Sequence, residues 1–239
     1  MSHHNIRRER RLPNGNMRIY LEDQAFELST DRCIYWLDES WLILSDLHLG
    51  KDESFRYHGI PIPGEVGERD LDRLEANIKK FNPKRVVVAG DFIHHNSSLS
   101  THIIRNFAKR RKSWECEFIV VEGNHDRHVP EFPMVWNVHR VYGSLIKSNV
   151  RLIHDLGEQH DPWNGLTISG HLHPVVSVDL GLTQLILPCY YLQGSSLVLP
   201  AFTSFSTGAK VEPLDHERAY VATRRKVLER RDLGSVQPS

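Results

Sequence analysis

No hydrophobic stretch in this sequence reaches the roughly 18 residues that a membrane-spanning helix requires. The N-terminal region contains four arginines with no apolar core behind them, so it shows no obvious secretion signal. Cysteine is scarce: Cys33, Cys116 and Cys189 lie far apart, lack a CxxC pair and cannot form the disulfide framework of a small secreted domain. From these absences we expect a protein of the reducing cytoplasm.

An excess of charge of either sign is also missing, because 30 Lys and Arg residues balance 30 Asp and Glu residues. Any contact with nucleic acid must therefore come from local patches. Three basic clusters are present: Arg7, Arg8, Arg10 and Arg11; Arg105, Lys109, Arg110, Arg111 and Lys112; and Arg224, Arg225, Lys226, Arg230 and Arg231. Two interpretations of these clusters are open, namely contacts to DNA phosphates or solvated faces of helices and tails.

The length of 239 residues is that of one substantial domain. We expect a flexible basic segment at residues 1–16, a single domain over residues 17–231 and a tail at residues 232–239. Between residues 41 and 121 the pattern strand, helix, strand, helix, strand predicts parallel strands joined by helices. Beyond residue 140, short strand-like runs predict a second, mainly antiparallel sheet. The predicted fold class is therefore layered α/β, with two facing mixed sheets flanked by helices.

Histidine is frequent, with 15 residues, and several histidines directly follow apolar runs. Five such runs end in residues that can bind a metal: Asp46 and His48; Asp91; Asn124 and His125; His154; and His171 with His173. In open α/β sheets the carboxyl ends of the strands line the binding crevice, so we expect these side chains to converge. Imidazole, carboxylate and amide ligands together suit Mn, Fe or Zn better than Mg or Ca.

The segments SDLHLG, GDFIHH, EGNHD and GHLH stand in an order and spacing that resemble the signature of the calcineurin-like metallophosphoesterase superfamily. The resemblance implies a four-layer αββα sandwich with a dinuclear metal site. It implies that one cation is held by Asp46, His48 and His173, that the other is held by Asn124, His154 and His171, and that Asp91 bridges them. By the same resemblance, His125 is the acid at the leaving oxygen, and the adjacent Asp126 is a candidate orienting partner.

Such a site suits phosphoester hydrolysis. Two cations about 3.5–4 Å apart can share a hydroxide, lower its pKa and neutralise charge on a phosphate during attack. Mn is the first candidate, with Fe or Zn as alternatives. His154 is favoured over the nearby His160 because His154 directly ends an apolar run. His94 and His95, which follow Asp91, are either part of the site or solvated loop residues.

The segments SDLHLGK, GIPIPGE, GHLHP and LVLPAFTSFSTGAKV together resemble the bacterial DNA ligase-associated phosphoesterases of the DNA-damage response. This resemblance implies a DNA endonuclease or phosphodiesterase, with a DNA ligase and a helicase as partners. Phe55, Tyr57 and Trp163, expected in loops beside the ligands, are candidates for base stacking or for packing. A phosphodiesterase or phosphatase for small cyclic nucleotides would share every metal ligand and stays open. A metal-free interaction scaffold is a third hypothesis, against which the seven filled ligand positions count.

Overall fold

The computed structural model describes residues 9–57, 59, 66–158, 161–179 and 183–233, and its strands form two β-sheets. The first sheet has eight strands in chain order: β1 (Glu9–Arg11), β2 (Met17–Leu21), β3 (Gln24–Leu28), β4 (Ile34–Trp36), β5 (Trp41–Leu44), β6 (Arg85–Ala89), β7 (Glu117–Val121) and β8 (His139–Val141). Strands β1 to β5 pair antiparallel, whereas β5 to β8 pair parallel. Parallel pairing requires long crossover connections, and helices supply two of them.

The helices cover the outer face of the first sheet. They are α1 (Lys51–Tyr57), α2 (Val66–Phe81) and α3 (Thr101–Arg111). The spacing of Leu71, Leu74 and Ile78 puts these side chains on one face of α2, where they are buried against the sheet. Helix α3 begins after Ser100, whose hydroxyl accepts the Ile103 N–H and so satisfies one free donor of the first turn.

The second sheet has nine strands: β9 (Leu145–Lys147), β10 (Val150–Leu152), β11 (Leu166–Ser169), β12 (Pro174–Asp179), β13 (Gln184–Gln193), β14 (Ser196–Val198), β15 (Ala209–Lys210), β16 (Arg218–Ala222) and β17 (Val227–Glu229). The main order is β15-β12-β13-β14-β11-β10-β9, and β16 with β17 extends from β13. Strands β10, β11 and β14 run parallel, so β10 and β11 end at the same edge. The predicted ligands His154 and His171 follow these two strands at that edge.

The two sheets face each other across the main apolar core. Alternate side chains of each strand point inwards, so Ile19 and Ile43 of the first sheet share a cluster with Leu152, Ile168 and Tyr190 of the second. All five are fully buried, and each aliphatic side chain of this kind contributes about 1.5–3 kcal/mol by leaving water. The facing sheets thereby hold their strand ends in a fixed relation.

The predicted fold class is confirmed, because two mixed sheets face each other and α-helices flank the first. The outer face of the second sheet carries a smaller cluster that includes Val176 and Val221. In the described part of the chain, a single 3-10 turn at Arg230–Leu233 contacts this side through β16 and β17. The fourth layer of the sandwich is therefore thin here. None of the helices in the described residues combines the length and hydrophobicity that crossing a membrane requires.

Several elements were not predicted from the sequence. Residues 9–11 of the segment expected to be flexible form β1, because the turn at Gly15 (φ 84°) folds them back onto β2. Residues 1–8 lie outside the described residues. Helix α1 occupies a region expected to be a loop, and β12 adds a strand that alternation at Pro174–Asp179 could have indicated.

Candidate metal centre

The loops that follow β5 and β6 carry the first predicted ligands, and their backbones are bonded to each other. The Asp46 N–H donates to the Gly90 carbonyl at 3.0 Å, and the His48 N–H donates to the Asp91 carbonyl at 2.9 Å. Both strands end at the same edge because they are parallel. The acidic side chains of the two loops therefore start from neighbouring backbone positions.

The second sheet delivers its histidines to the same place. His154 follows β10 and His171 follows β11, and the Gly170 N–H donates to the His154 carbonyl at 3.0 Å. The His171 N–H lies 3.2 Å from Asp46 Oδ2 and donates to it across the gap between the sheets. The predicted crevice thus forms between the two sheets at their strand ends.

Backbone conformation at the site is unusual. Five predicted ligands have positive φ: Asp46 (54°), His48 (48°), Asp91 (50°), His171 (65°) and His173 (50°). Residues other than glycine rarely adopt this left-handed region, which costs of order 1–3 kcal/mol each and persists where the surrounding structure enforces it. The fold accepts this cost at the positions that aim side chains into the crevice.

Asp46, His48 and His173 form the first group, with one ligand atom of each within 4.8 Å of the others. His173 Nε2 lies 3.0 Å from Asp46 Oδ1, although this nitrogen makes no hydrogen bond in the described structure. The Ser206 hydroxyl is 2.5 Å from His173 Nδ1 and orients the ring from behind. The facing atoms of Asp46 and His173 are thus arranged as ligands rather than as a bonded pair.

Asn124, His154 and His171 form the second group. Asn124 Oδ1 lies 2.9 Å from His154 Nε2 and 3.1 Å from His171 Nδ1, and the two ring nitrogens are 3.1 Å apart. The other nitrogen of His154, Nδ1, donates to the Ala89 carbonyl at 3.1 Å, which leaves the Nε2 lone pair directed into the site. Three atoms with lone pairs therefore point at one spot.

Asp91 lies between the two groups. Its Oδ1 is 3.4 Å from His154 Nε2, and its Oδ2 is 3.8 Å from His48 Nε2. A carboxylate has two oxygens, so one side chain can face both groups at once. All seven predicted ligands are therefore brought into one crevice, with Asp91 at its centre.

Two glycines are required for this close packing. A Cβ at Gly90, whose φ is 85°, would stand 2.1 Å from His154 Nδ1. A Cβ at Gly123 would stand 2.3 Å from the backbone nitrogen of Asp91. Only a residue without a side chain lets these loops approach the ligands so closely.

The electrostatics favour a neutral His48 and a tightly coupled Asp91–His154 pair. Burial lowers the pKa of His48 to about 2, so the ring stays neutral, as a metal ligand must be. Burial opposes charge on both members of the pair, but their mutual attraction outweighs it, so the pKa of Asp91 is lowered and that of His154 is raised. A cation at the second group would displace the proton from His154.

The donor set fits divalent cations. His48 is buried, and neither of its ring nitrogens has a hydrogen-bond partner among the described residues. Leaving a buried polar atom unpaired costs about 1–3 kcal/mol. A cation bound at one of the two His48 nitrogens would recover this cost for that nitrogen. The nitrogen and oxygen ligands together suit a transition metal such as Mn, Fe or Zn.

His125 sits at the rim of the crevice. Its N–H donates to Asp91 Oδ1 at 2.9 Å, and its ring Nε2 is 3.9 Å from Asp91 Oδ2. The orienting contact to the ring comes from the His94 carbonyl, 2.7 Å from His125 Nδ1, and not from Asp126 as the sequence suggested. Asp126 is buried and instead accepts the backbone N–H groups of Phe92, Ile93 and Gly123. Its carboxylate therefore faces the backbone of the loops after β6 and β7.

The structure gives different roles to His94 and His95, which the sequence left open. The His94 ring is half-buried and stacks on His125 with centroids 5.1 Å apart, and burial lowers its pKa to about 4. His95 is exposed and accepts the Ser97 N–H, which caps a 3-10 turn. His94 therefore belongs to the crevice wall, whereas His95 is a structural cap. His160, the alternative to His154, lies outside the described residues.

Two of the three aromatic residues considered for base stacking pack locally. Phe55 lies in α1, not in a loop, and its ring contacts Phe205 at 5.0 Å. Trp163 donates to the Leu166 carbonyl and lies 5.3 Å from the Arg151 guanidinium. The side chain of Tyr57 and most of the GIPIPGE segment lie outside the described residues.

Sequence reasoning missed two contacts of the site. Ser206 orients His173, and the Asp155 carboxylate lies 3.5 Å from His171 Nε2. Asp155 could have been noticed because it follows His154, but Ser206 sits in a remote loop with no local signal. Lys51, the last residue of the SDLHLGK segment, is half-buried at the start of α1. Its Nζ lies 5.9 Å from the Phe205 ring.

Comparison with known proteins agrees with this geometry. Residues 41–188 match the family described as calcineurin-like phosphoesterase. The crystal structure of Pseudomonas putida nuclease MPE is similar, with 26% sequence identity and a TM-score of 0.77 over 89% of this chain and 100% of that one. A search among curated proteins finds no match.

The family match spans more than half of the chain and contains all seven predicted ligands and His125. Members of such a family depend on divalent metals, and the described residues offer side-chain groups able to bind one, among them Asp46 with His48 and His173, and Asp91 with His154 and His171. The chain therefore belongs to the calcineurin-like phosphoesterase family and is a metal-dependent phosphoesterase.

Proposed function

We propose that the protein hydrolyses phosphodiester bonds of DNA as an endonuclease, using two divalent transition-metal ions, of which Mn is the first choice. The observation that carries this proposal is the placement of Asp91, whose two oxygens face the two ligand groups at 3.4 and 3.8 Å. The similarity to a solved nuclease supports a nucleic acid as substrate.

The residues have distinct tasks in this proposal. Asp46, His48 and His173 would hold one cation; Asn124, His154 and His171 would hold the other; and Asp91 would serve both. When bound, the cations would activate a water molecule and neutralise charge on the phosphate. Ser206 and the Ala89 carbonyl keep two of the imidazole rings in the orientation that presents their ligand atoms.

His125 is proposed to hold the proton for the leaving oxygen at Nε2. Its other nitrogen, Nδ1, donates a hydrogen bond to the His94 carbonyl oxygen, which can only accept one. The ring is therefore fixed with Nε2 turned towards the crevice, where it lies on the Asp91 side. The half-exposed position leaves room for a strand of substrate next to it.

Exposed positive charge suits a polyanionic substrate, but not every basic cluster is available. Arg110 is paired with Glu68, Asp72 and Glu75, and Arg111 is buried, so this part of the second cluster is structural. The exposed residues Arg224, Arg225 and Lys226 form the turn between β16 and β17. DNA contacts are therefore expected from the third cluster and from the exposed remainder of the others, with affinity falling as salt rises.

The test is hydrolysis of defined single-stranded and circular DNA, a cyclic nucleotide and an aryl phosphodiester, each with Mn and with a chelator. We expect cleavage of DNA with Mn, including internal cleavage of circles, and none with chelator. Cleavage of the cyclic nucleotide without DNA cleavage would replace this proposal by the small-nucleotide alternative. Fewer than two metal ions per purified chain after Mn loading would contradict the dinuclear site.

Three variants assign the roles. Asp91→Asn is expected to abolish turnover and to lower the bound metal, because one bridging oxygen becomes an amide nitrogen. His125→Ala is expected to abolish turnover while the metal content stays close to wild type. His95→Ala, an exposed neighbour, is the matched control and should keep full turnover. Unchanged turnover in either of the first two would reject the assigned roles.

By the family resemblance, a cytoplasmic role in the DNA-damage response together with a DNA ligase and a helicase is part of the same proposal. Co-purification of the three proteins from damaged cells tests it separately. Failure of that experiment would leave the enzymatic proposal intact.

A further inference from the structure

A cavity of about 430 Å³ opens beside the metal centre and shares His173 with it. One side of the His173 ring faces Asp46, and the ring, with its Ser206 partner, also forms a wall of the cavity. Strand β12 begins directly after His173, and β12, β13 and the 201–208 loop enclose the space. The volume lies within the range of about 300–1,000 Å³ typical of small-ligand sites.

The floor of the cavity is apolar. Strand alternation turns Gln184, Ile186 and Pro188 of β13 to the same face, and Val175 of β12 lies beside them. Ile186 is 67% exposed, which is unusual for a large apolar side chain in the middle of a strand. With Val175 and Pro188 beside it, Ile186 gives the cavity the apolar lining that is typical of ligand sites.

The charge of the lining is suited to an anion. Two cationic residues, Arg32 and Lys210, line the cavity, and no carboxylate does so among the described residues. Lys210 shares only an exposed ion pair with Glu212, at 3.3 Å, which contributes little to stability and can be exchanged for a phosphate. The larger neighbouring cavity of about 570 Å³ is different, since it carries the carboxylates of Asp179, Glu212, Asp215, Glu217 and Glu229.

The walls are fixed in place. Asp70 is buried and accepts hydrogen bonds from the Thr203 hydroxyl and the Ser204 N–H, both at 2.9 Å. A Cβ at Gly208 would stand 2.2 Å from the His173 carbonyl oxygen, so the loop lies directly against the ligand strand. The cavity is therefore held at a constant distance from the metal centre.

We propose that this cavity binds the nucleotide unit adjoining the scissile phosphate, with its base or sugar on Ile186 and Val175 and its flanking phosphate at Lys210. This inference rests on the proposed function and extends it, because it says where the nucleotide next to the scissile phosphate binds when the metal centre holds that phosphate. The occupant follows from the three features together: an apolar floor, cations without carboxylates, and continuity with the centre through His173.

The test compares two neighbouring residues of β13 that face opposite sides of the strand. Ile186→Asp places a negative charge on the cavity floor, whereas Leu185→Asp places the same charge on the other face of the strand, at a side chain that is 45% exposed. Ile186→Val is the conservative variant. Hydrolysis of an aryl phosphodiester with Mn is measured for each, with inhibition by thymidine 5′-monophosphate and by inorganic phosphate.

For wild type, Ile186→Val and Leu185→Asp, we expect thymidine monophosphate to inhibit at a concentration at least ten-fold lower than phosphate does. For Ile186→Asp we expect that advantage to disappear and kcat/KM on single-stranded DNA to fall at least ten-fold, while phosphate inhibition and aryl-ester turnover stay within two-fold. Equal behaviour of Ile186→Asp and Leu185→Asp would overturn the inference and leave the proposed function standing. A wild-type protein that hydrolyses no phosphodiester with Mn would instead overturn the proposed function, and this inference with it.

Discussion

Replacing Asp126 separates a structural role from a catalytic one. Its carboxylate accepts the N–H groups of Ile93 at 2.9 Å, Gly123 at 3.0 Å and Phe92 at 3.2 Å, and the side chain is fully buried. These bonds tie the loop after β6, which carries Asp91, to the loop after β7. We expect Asp126→Ala to loosen both loops.

The magnitude follows from the three donors that lose their acceptor. Each buried, unsatisfied N–H costs about 1–3 kcal/mol, and removing the carboxyl recovers the burial cost that raises its pKa to about 6. We therefore take the lower end of the range and expect Asp126→Ala to reduce the free energy of unfolding by about 3 kcal/mol. In Asp126→Asn, an amide oxygen at the Oδ2 position still accepts from Phe92 and Gly123, so only the Ile93 N–H loses its acceptor and the loss is about 1–2 kcal/mol.

Urea unfolding of wild type and both variants, in Mn and in chelator, measures these differences. Turnover is then measured under conditions in which each variant is fully folded and metal-loaded. If Asp126 acted by orienting the His125 ring, Asp126→Asn would lose turnover without losing stability. A stability loss below 1 kcal/mol for Asp126→Ala, or equal losses for both variants, would refute the reasoning from backbone donors.

Two further predictions concern glycine and cysteine. Gly90→Ala is expected to displace His154, because its Cβ would lie 2.1 Å from Nδ1, and metal analysis should show at least half of the bound metal lost; Gly194→Ala, also at positive φ (54°) but with nothing within 4 Å, should keep its metal. Equal metal content in both would contradict the close-approach argument. Burial raises the thiol pKa of Cys33 and of Cys189 to about 12, so the reactive thiolate is scarce at pH 8. We expect a thiol reagent to modify fewer than one cysteine per native chain and all three after unfolding, and rapid modification of the native protein would show the burial to be wrong.

Periodicity in the sequence predicted the elements with a strong local signal. The three- and four-residue spacing of Leu71, Leu74 and Ile78 predicted α2, and the continuous apolar run at 85–90 predicted β6. Helix α1 and strand β12 were missed, because a short helix has too few turns to show a period and the alternation of β12 follows directly on a ligand motif. Strand β1 was missed because its residues are polar and exposed, and only its pairing with β2 makes it a strand.

The sequence by itself determined which residue types end the strands, because Asp, Asn and His side chains carry lone pairs that can bind a metal whatever fold holds them. The order and spacing of those residues also resembled the signature of the family, and the family match over residues 41–188 confirmed it. Only the tertiary structure decided how the side chains point. It placed Asp91 between two ligand groups. It also set the His94 carbonyl, and not Asp126, against the His125 ring, and it bonded the Asp126 carboxylate to the backbone of two loops. These outcomes depend on backbone angles and on contacts between residues remote in sequence, such as Ser206 with His173, which no local pattern encodes.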